Sequence, residues 1–221
     1  ISFAEFMRQA LYDSEHGYYS RPEPIGRRGD FITSDSVGPF FGVLLAFQFA
    51  HWIELMRQKD GLSKERNFQF VEAGAHDGQL AFDILNQLED SEPKLFASLQ
   101  YWIVEPSAPR KREQQRTLAR FPNVHWFESL AAIQGRVRGV VFSNELIDAM
   151  PVHVFRWSAA AQSWKEMGVS ISEDQFAWAP LASPTIPPPK LPNELLTVLP
   201  DGYTFELPSS ATLQWWGEAA T

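Results

Sequence analysis

The feature that most constrains the fold is an alternation of apolar strands and helices between residues 68 and 142. Strands are predicted at 68–71, 101–104, 124–127 and 139–142, with helices at 79–88 and 110–120 between them. Strands that alternate with helices form a parallel sheet whose faces are covered by those helices. The sequence therefore predicts an α/β protein with a doubly wound, Rossmann-like sheet.

The segments on either side of this alternation follow other patterns. Residues 1–66 contain an amphipathic helix with a capping sequence at Ser2 to Glu5, a long loop rich in glycine and proline, and an apolar helix at 39–56 that we expect to be buried. Residues 152–221 predict a small antiparallel β insertion, a proline cluster and a short helix. We therefore expect three segments: N-terminal helices with a covering loop (1–66), a Rossmann-like core (67–151) and the β insertion with the tail (152–221).

Composition excludes several classes of function. The 221 residues are 44% hydrophobic and 21% charged, which is typical of a globular protein rather than a disordered one. The absence of cysteine excludes a disulfide framework, and the histidines lack metal-ligand spacing, so we predict no metal site. A net charge of −8 does not favour nucleic acid, and no apolar run reaches membrane-spanning length. We expect neither a nucleic-acid partner nor membrane insertion.

A glycine-containing turn follows the first predicted strand. Glu72 lies inside the end of this strand, and Gly74 and Gly78 lie between it and the next helix, where a ligand can approach the backbone and the first amides of the helix. The spacing does not fit the G-x-G-x-x-G pattern of dinucleotide-binding proteins, which disfavours a nicotinamide oxidoreductase. It fits the arrangement that methyltransferases use for the amino-acid part of S-adenosylmethionine. A tight turn without a ligand remains the alternative.

Polar residues also follow the second and fourth strands. Glu105 ends the second strand, where a carboxylate can accept hydrogen bonds from two ribose hydroxyls; a solvated acid is the alternative. Asn144, Glu145 and Asp148 follow the fourth strand and could hold a cationic or hydrogen-bond-donating substrate. They could equally cap and begin a short helix, and both interpretations can hold together. The charged helix at 110–120 is interpreted as having a solvated face.

The order of these motifs resembles that of the MidA-like methyltransferases, a family that includes a mitochondrial complex I assembly factor. The opening motifs are Ile1 to Met7, Gly17-Tyr18-Tyr19, Gly29-Asp30-Phe31-Ile32-Thr33 and Phe41-Gly42. The later motifs are Val71 to Leu80, Val104-Glu105-Pro106-Ser107 and Asn144 to Val152. The resemblance covers roughly residues 1–169, and the pairing of the glycine motif at 29–33 with the motif at 144–151 is its most specific part.

The resemblance implies a class I methyltransferase that uses S-adenosylmethionine to methylate an arginine of a protein, with a respiratory complex subunit as one candidate substrate. It assigns cofactor binding to Glu72, Gly74, Gly78, Glu105, Gly29, Asp30 and Thr33, and catalysis to Asn144, Glu145 and Asp148. It implies a cytoplasmic location in a bacterium or a mitochondrial one in a eukaryote, and it is compatible with an oligomer.

The chain departs from the family in two respects. His76 stands where the family loop usually has a glycine, and we expect its side chain to point away from the cofactor while its backbone lines the site. Family members continue into further strands, so the resemblance implies a sheet that is incomplete at the C-terminus here. Both departures favour the alternative function, a catalytically silent methyltransferase-like protein that acts in assembly or binding.

Overall fold

A computed structural model describes residues 1–20, 38–60 and 67–220. They form two compact units: Ile1–Pro22 joins Ile147–Thr221 in one, and Glu23–Leu146 forms the other. We call them the antiparallel-sheet unit and the parallel-sheet unit. These units cut across the three segments expected from the sequence, because the first helix belongs with the C-terminal strands.

The secondary structure follows the predicted alternation. In the described residues the helices are α1 (Phe3–Tyr12), α2 (Phe40–Asp60), α3 (Gln79–Ser91), α4 (Pro93–Phe96), α5 (Ala108–Thr117), α6 (Asn193–Leu196) and α7 (Ser210–Ala220). The strands are β1 (Phe68–Ala73), β2 (Leu99–Val104), β3 (Val124–Phe127), β4 (Gly139–Ser143), β5 (Val152–Ser158), β6 (Ser163–Ser172), β7 (Gln175–Pro180) and β8 (Thr204–Pro208). Short 3₁₀ turns occupy Tyr18–Ser20, Leu130–Ala132 and Ile147–Ala149.

The parallel-sheet unit confirms the predicted α/β fold. Its strands pair in the order β3-β2-β1-β4, all in parallel, with β1 at the centre of the described sheet. Phe68, Phe70 and Tyr101 are buried on the sheet face that packs against α2. Gly42 lets α2 approach α3 closely, because a Cβ there would lie 2.5 Å from the Cβ of Asp83. The arrangement brings the carboxyl ends of β1, β2 and β4 to one edge of the sheet.

Helix α2 is only half buried, so the expectation that it is a buried helix was wrong. Ala46, Phe49 and Ile53 face the core, and the Phe49 ring lies 5.2 Å from that of Phe70. The opposite face exposes Phe40, Leu44, Phe47, Trp52 and Leu55. The apolar residues of this helix occur on all of its sides, so its sequence does not indicate which face is covered.

The antiparallel-sheet unit has the strand order β7-β6-β5-β8. Helix α1 packs on this sheet, with the ring of Phe3 4.8 Å from that of Trp178 and the ring of Phe6 5.0 Å from that of Phe176. The predicted cap of α1 is confirmed, since Ser2 Oγ accepts a hydrogen bond from the Glu5 amide at 3.2 Å. Strand β8 was not predicted, because it follows the proline cluster and ends at Pro208 as an edge strand.

Candidate cofactor and acceptor site

The loop between β1 and α3 requires glycine at two positions. Gly74 and Gly78 have φ values of 75° and 87°, in the left-handed region that favours glycine. A Cβ on Gly78 would lie 3.4 Å from Gln114 Cα, which is part of α5, and 3.3 Å from Cδ1 of Leu118, which directly follows α5. Gly78 is also the N-cap of α3 and provides no side-chain acceptor for its first turn. The loop thus leaves its backbone close to the sheet edge, where a ligand could approach it.

His76 adopts a left-handed conformation without being glycine, with φ of 47°. Its carbonyl oxygen accepts a hydrogen bond from Gln114 Nε2 at 2.9 Å, and its Nδ1 lies 3.5 Å from Asp77 Oδ1. Its Nε2 is buried and has no hydrogen-bond partner in the described part of the chain. The turn therefore tolerates a side chain at this position, and the orientation of that side chain relative to a cofactor stays a prediction.

Glu105 lies one residue beyond the end of β2, as predicted, and is buried. Its Oε1 accepts a hydrogen bond from the Ser107 amide at 2.8 Å, and its Oε2 accepts one from Gln114 Nε2 at 3.0 Å. Burial raises the pKa of this carboxyl, and these two hydrogen bonds oppose the rise. A carboxylate has about four acceptor positions, so two protein donors leave capacity for the hydroxyls of a ribose.

Gln114 connects the loop and Glu105, and sequence reasoning missed it. It is fully buried on α5, whose other residues are mostly exposed and charged. Its Oε1 accepts a hydrogen bond from Trp126 Nε1 at 3.0 Å, while its Nε2 donates to His76 and Glu105. The signal in the sequence was weak: Gln114 and Leu118 are four residues apart and mark one inward face of a helix interpreted as solvated.

Glu72 lies inside the end of β1, as the sequence predicted. Its side chain is buried and accepts a hydrogen bond from the hydroxyl of Tyr101 on β2 at 2.7 Å. Burial and the neighbouring Glu72 carboxyl raise the pKa of Tyr101 well above its ordinary value, so this phenol stays neutral. The structure therefore places Glu72 in the interior of the protein, at the end of β1 that leads into the Gly74–Gly78 loop.

The turn after β4 reaches the same edge of the sheet. Because Ala73 of β1 pairs with Ser143 of β4, the residues that follow these strands leave the sheet side by side. A Cβ on Gly74 would lie 3.0 Å from Leu146 Cδ1, so this turn packs against the loop that follows β1. Glu145 within it is exposed and left-handed, with φ of 50°. Strained non-glycine residues of this kind are concentrated at functional sites.

Asp148 belongs to the antiparallel-sheet unit and lies in the 3₁₀ turn Ile147–Ala149. The hydroxyl of Tyr12 on α1 donates a hydrogen bond to the Ala149 carbonyl at 2.8 Å, which anchors this turn. Burial, Tyr19 and Asp148 together raise the pKa of Tyr12 to about 12. The Asp148 side chain is exposed and carries negative charge beside a neutral phenol.

Three of the predicted cofactor residues, Gly29, Asp30 and Thr33, lie outside the described residues. Among residues 1–20, 38–60 and 67–220, no cluster of acidic and histidine side chains could hold a metal ion. In the same ranges, no helix combines the length and apolar character needed to cross a membrane.

The sequence and the fold were compared with those of known proteins, and the comparison shows the family of the chain. Residues 44–220 match the model of a family described as "putative S-adenosyl-L-methionine-dependent methyltransferase", and the chain belongs to this family. The resemblance to MidA-like methyltransferases is thereby confirmed.

Particular relatives share about half of their length with this chain. Protein arginine methyltransferase NDUFAF7, mitochondrial, from Mus musculus is 28% identical over 83% of this chain and 46% of its own, and the Homo sapiens protein of that name is 27% identical over the same shares. A Burkholderia thailandensis protein described as a "likely methyl transferase", with S-adenosyl-homocysteine bound, is 28% identical with a TM-score of 0.70 over 96% of this chain and 52% of its own. The chain thus spans about half the length of these relatives.

Proposed function

We propose that this chain carries the cofactor-binding core of an S-adenosylmethionine-dependent methyltransferase whose acceptor is an arginine side chain of a protein. The observation that carries the proposal is the juxtaposition of the Gly74–Gly78 loop with the buried Glu105, both held by Gln114. Two facts about relatives support it. The mouse protein is named a protein arginine methyltransferase, and the Burkholderia structure holds S-adenosyl-homocysteine.

The residues of the parallel-sheet unit fit such a cofactor. Glycines at 74 and 78 keep side chains away from the loop, and the amino-terminal turn of α3 favours the negative carboxylate of an amino-acid group. Glu105 has acceptor capacity for the two ribose hydroxyls. When bound, S-adenosylmethionine supplies an activated methyl group on its sulfonium sulfur. We assign Glu72 to support the loop from inside the sheet, and Gly29, Asp30 and Thr33 to cofactor binding on the resemblance alone.

Methylation of an arginine guanidinium requires carboxylates near the acceptor. A guanidinium is a poor nucleophile, because its lone pairs are delocalised and it is protonated at neutral pH. One nitrogen must be aligned with the methyl group, and a proton must leave as the new nitrogen–carbon bond forms. We assign proton acceptance to Glu145, and orientation of the guanidinium to Asn144 and Asp148. The exposed, left-handed Glu145 is the candidate with the strongest structural support.

A catalytically silent methyltransferase-like protein is the second candidate function. His76 favours it, since a side chain replaces the family glycine in the turn that would meet the cofactor. Such a protein would act in assembly or binding without S-adenosylmethionine. The two functions differ in one measurement, because a silent protein shows no heat of binding when titrated with the cofactor.

The proposed partner is a protein substrate, and a respiratory complex subunit is the narrower proposal. The mouse and human relatives are named as mitochondrial proteins. We propose the mitochondrion for a eukaryotic source of this chain and the cytoplasm for a bacterial one. An oligomer is compatible with this function.

The test is calorimetric titration with S-adenosylmethionine, followed by transfer of a labelled methyl group to arginine-bearing proteins, in the longest natural form of the protein. We expect binding and transfer in the parent. Glu145→Gln should lower transfer by at least about tenfold and leave cofactor affinity within about twofold, because its charge acts on the acceptor. A variant that transfers normally removes Glu145 from catalysis, and a variant that loses cofactor binding reassigns it to the cofactor.

A further inference from the structure

We propose that Gln114 is a positioning residue that fixes the carboxylate of Glu105 for a ribose and holds the Gly74–Gly78 loop in its ligand-binding conformation. The inference rests on the proposed cofactor site. It assigns to α5 a role in cofactor binding that neither the sequence motifs nor the family description includes.

The hydrogen bonds of Gln114 define the orientation of its amide. Nε2 donates one N–H to the His76 carbonyl at 2.9 Å and the other to Glu105 Oε2 at 3.0 Å, while Oε1 accepts from Trp126 Nε1 at 3.0 Å. Rotating the amide by 180° would set its oxygen against two acceptors and its NH₂ group against the indole N–H. Since Gln114 is fully buried, water cannot replace the lost bonds. The amide is therefore fixed in one orientation.

Gln114 acts on the loop through a backbone carbonyl. His76 is left-handed, with φ of 47°, in a conformation that a non-glycine residue adopts at a cost. In this conformation its carbonyl oxygen reaches Gln114. The hydrogen bond stabilises the turn at the residue where this chain departs from the family glycine. Gln114 thus compensates for the presence of histidine in the loop.

Gln114 acts on Glu105 without neutralising it. The donors to the carboxyl are the Ser107 amide and the Gln114 amide, which are both neutral, and the nearby charged or titratable groups are Arg110 and His76. The carboxyl therefore keeps its acceptor character while one oxygen is held in place. A ribose requires this combination, because its two hydroxyls are donors with a fixed spacing.

A purely structural role predicts a different outcome. Gln114 could serve only to anchor α5 to the loop and to β3, where Trp126 lies. Its loss would then lower the stability of the fold, and its effect on a ligand would not depend on Glu105. The positioning role instead requires that the effect of Gln114 on the ligand become smaller when the Glu105 carboxylate is removed, because only the part that acts through the His76 carbonyl then remains.

The experiment is calorimetric titration of the full chain with S-adenosylhomocysteine. Gln114→Leu should weaken binding about 10- to 100-fold, the range for residues that orient a ligand-binding group. Gln115→Leu is the matched control, one position along the same helix and exposed, and it should stay within about twofold. In the Glu105→Ala background, the further effect of Gln114→Leu should be smaller by at least about threefold than its effect in the parent, because the contribution through Glu105 is absent and only that through the loop remains. Unchanged affinity in Gln114→Leu, or equal effects with and without Glu105, overturns the inference.

A second measurement works without any ligand. The Gln114 hydrogen bond lowers the pKa of Glu105, so its removal should raise that pKa in the ligand-free protein. Carbon NMR of the Glu105 side-chain carboxyl across a pH titration measures this in the parent, Gln114→Leu and Gln115→Leu. An unchanged pKa in Gln114→Leu overturns the inference. A parent that does not bind S-adenosylhomocysteine overturns the proposed function, and the NMR titration still decides the role of Gln114.

Discussion

Each of the two units contains a buried glutamate that accepts hydrogen bonds from several groups, and the two sites differ in their donors. In the parallel-sheet unit, the donors that Glu105 has among the described residues, Ser107 and Gln114, are neutral, and burial raises its pKa. In the antiparallel-sheet unit, Glu166 accepts bonds from the amide and hydroxyl of Thr185, and His153 Nδ1 lies 2.7 Å from its Oε1. Burial opposes ionisation there too, yet these bonds lower the pKa of Glu166.

The difference separates an acid that stabilises the fold from an acid that is available to a ligand. Glu166 on β6 contacts His153 on β5 and Thr185 in the proline-rich segment, and three hydrogen bonds within the protein occupy most of its acceptor positions. Glu105 lies at a strand end, its carboxyl has acceptor positions that no described residue fills, and burial raises its pKa. A raised pKa in a partly satisfied buried acid is typical of functional sites.

The largest effect on stability is expected at Glu166. Glu166→Gln replaces a buried carboxylate that accepts hydrogen bonds from Thr185 and contacts His153, and should lower the free energy of unfolding by about 3 kcal/mol, the upper range for hydrogen bonds to a charged group. Glu206→Gln, on the exposed side of the edge strand β8, should change it by less than about 0.5 kcal/mol. Urea unfolding followed by circular dichroism measures both. Equal stability of the two variants would contradict the structural role of Glu166.

The two units can also be compared through one glycine in each, Gly78 and Gly202. Gly78 and Gly202 have similar φ values of 87° and 80°, but a Cβ would meet Leu118 and Gln114 at position 78 and open space at position 202. Gly202→Ala should cost about 1–2 kcal/mol, the strain of the left-handed conformation alone. Gly78→Ala should cost more and weaken binding of S-adenosylhomocysteine at least about tenfold, because α5 must also move. Thermal melts and calorimetry measure the two effects, and identical behaviour would argue against crowding by α5.

Removal of the Glu105 side chain should act on the ligand more than on the fold. Glu105→Ala should weaken S-adenosylhomocysteine binding by roughly 1–3 kcal/mol, the scale of hydrogen bonds to a charged group. Glu92→Ala, at an exposed helix start in the same unit, is the control and should bind as the parent does. Calorimetry at neutral pH is the measurement. Unchanged affinity in a folded Glu105→Ala variant would remove Glu105 from the cofactor site.

The smallest effect is a pair of opposite pH dependences. An ordinary glutamate has a pKa of 4.5. Because the pKa of Glu166 is lowered, its stabilisation is present above that value and is lost as pH falls through the lowered pKa. Because the pKa of Glu105 is raised, its ionisation destabilises the ligand-free fold as pH rises above the ordinary value.

Urea unfolding of the parent and two variants at several pH values tests these signs. The stability deficit of Glu166→Gln should shrink on acidification below about pH 4.5. The stability of Glu105→Ala relative to the parent should improve as pH rises above that value. Parallel pH curves for the parent and Glu105→Ala would show that Glu105 ionises in the fold as it does in water.

Local sequence patterns are sufficient to specify the strands and helices of the parallel sheet and the strand ends at which polar residues lie. The bounds of strands β1 to β4 were predicted to within two residues, because strands and helices differ in the local periodicity of their apolar residues. The glycine loop and Glu105 were recognised for the same reason, since a strand end is visible in the sequence. The family was recognised from motif order.

Features that depend on contacts between residues far apart in the sequence became visible only in the tertiary structure. Gln114 contacts a carbonyl 38 residues away and an indole 12 residues away, so its burial is invisible in a helix of charged residues. Strand β8 exists because it pairs with β5 about 50 residues earlier, and α1 groups with the antiparallel sheet through Phe3 and Phe6. Local sequence patterns specify which face of a helix or strand is apolar, but tertiary packing determines which other element covers that face.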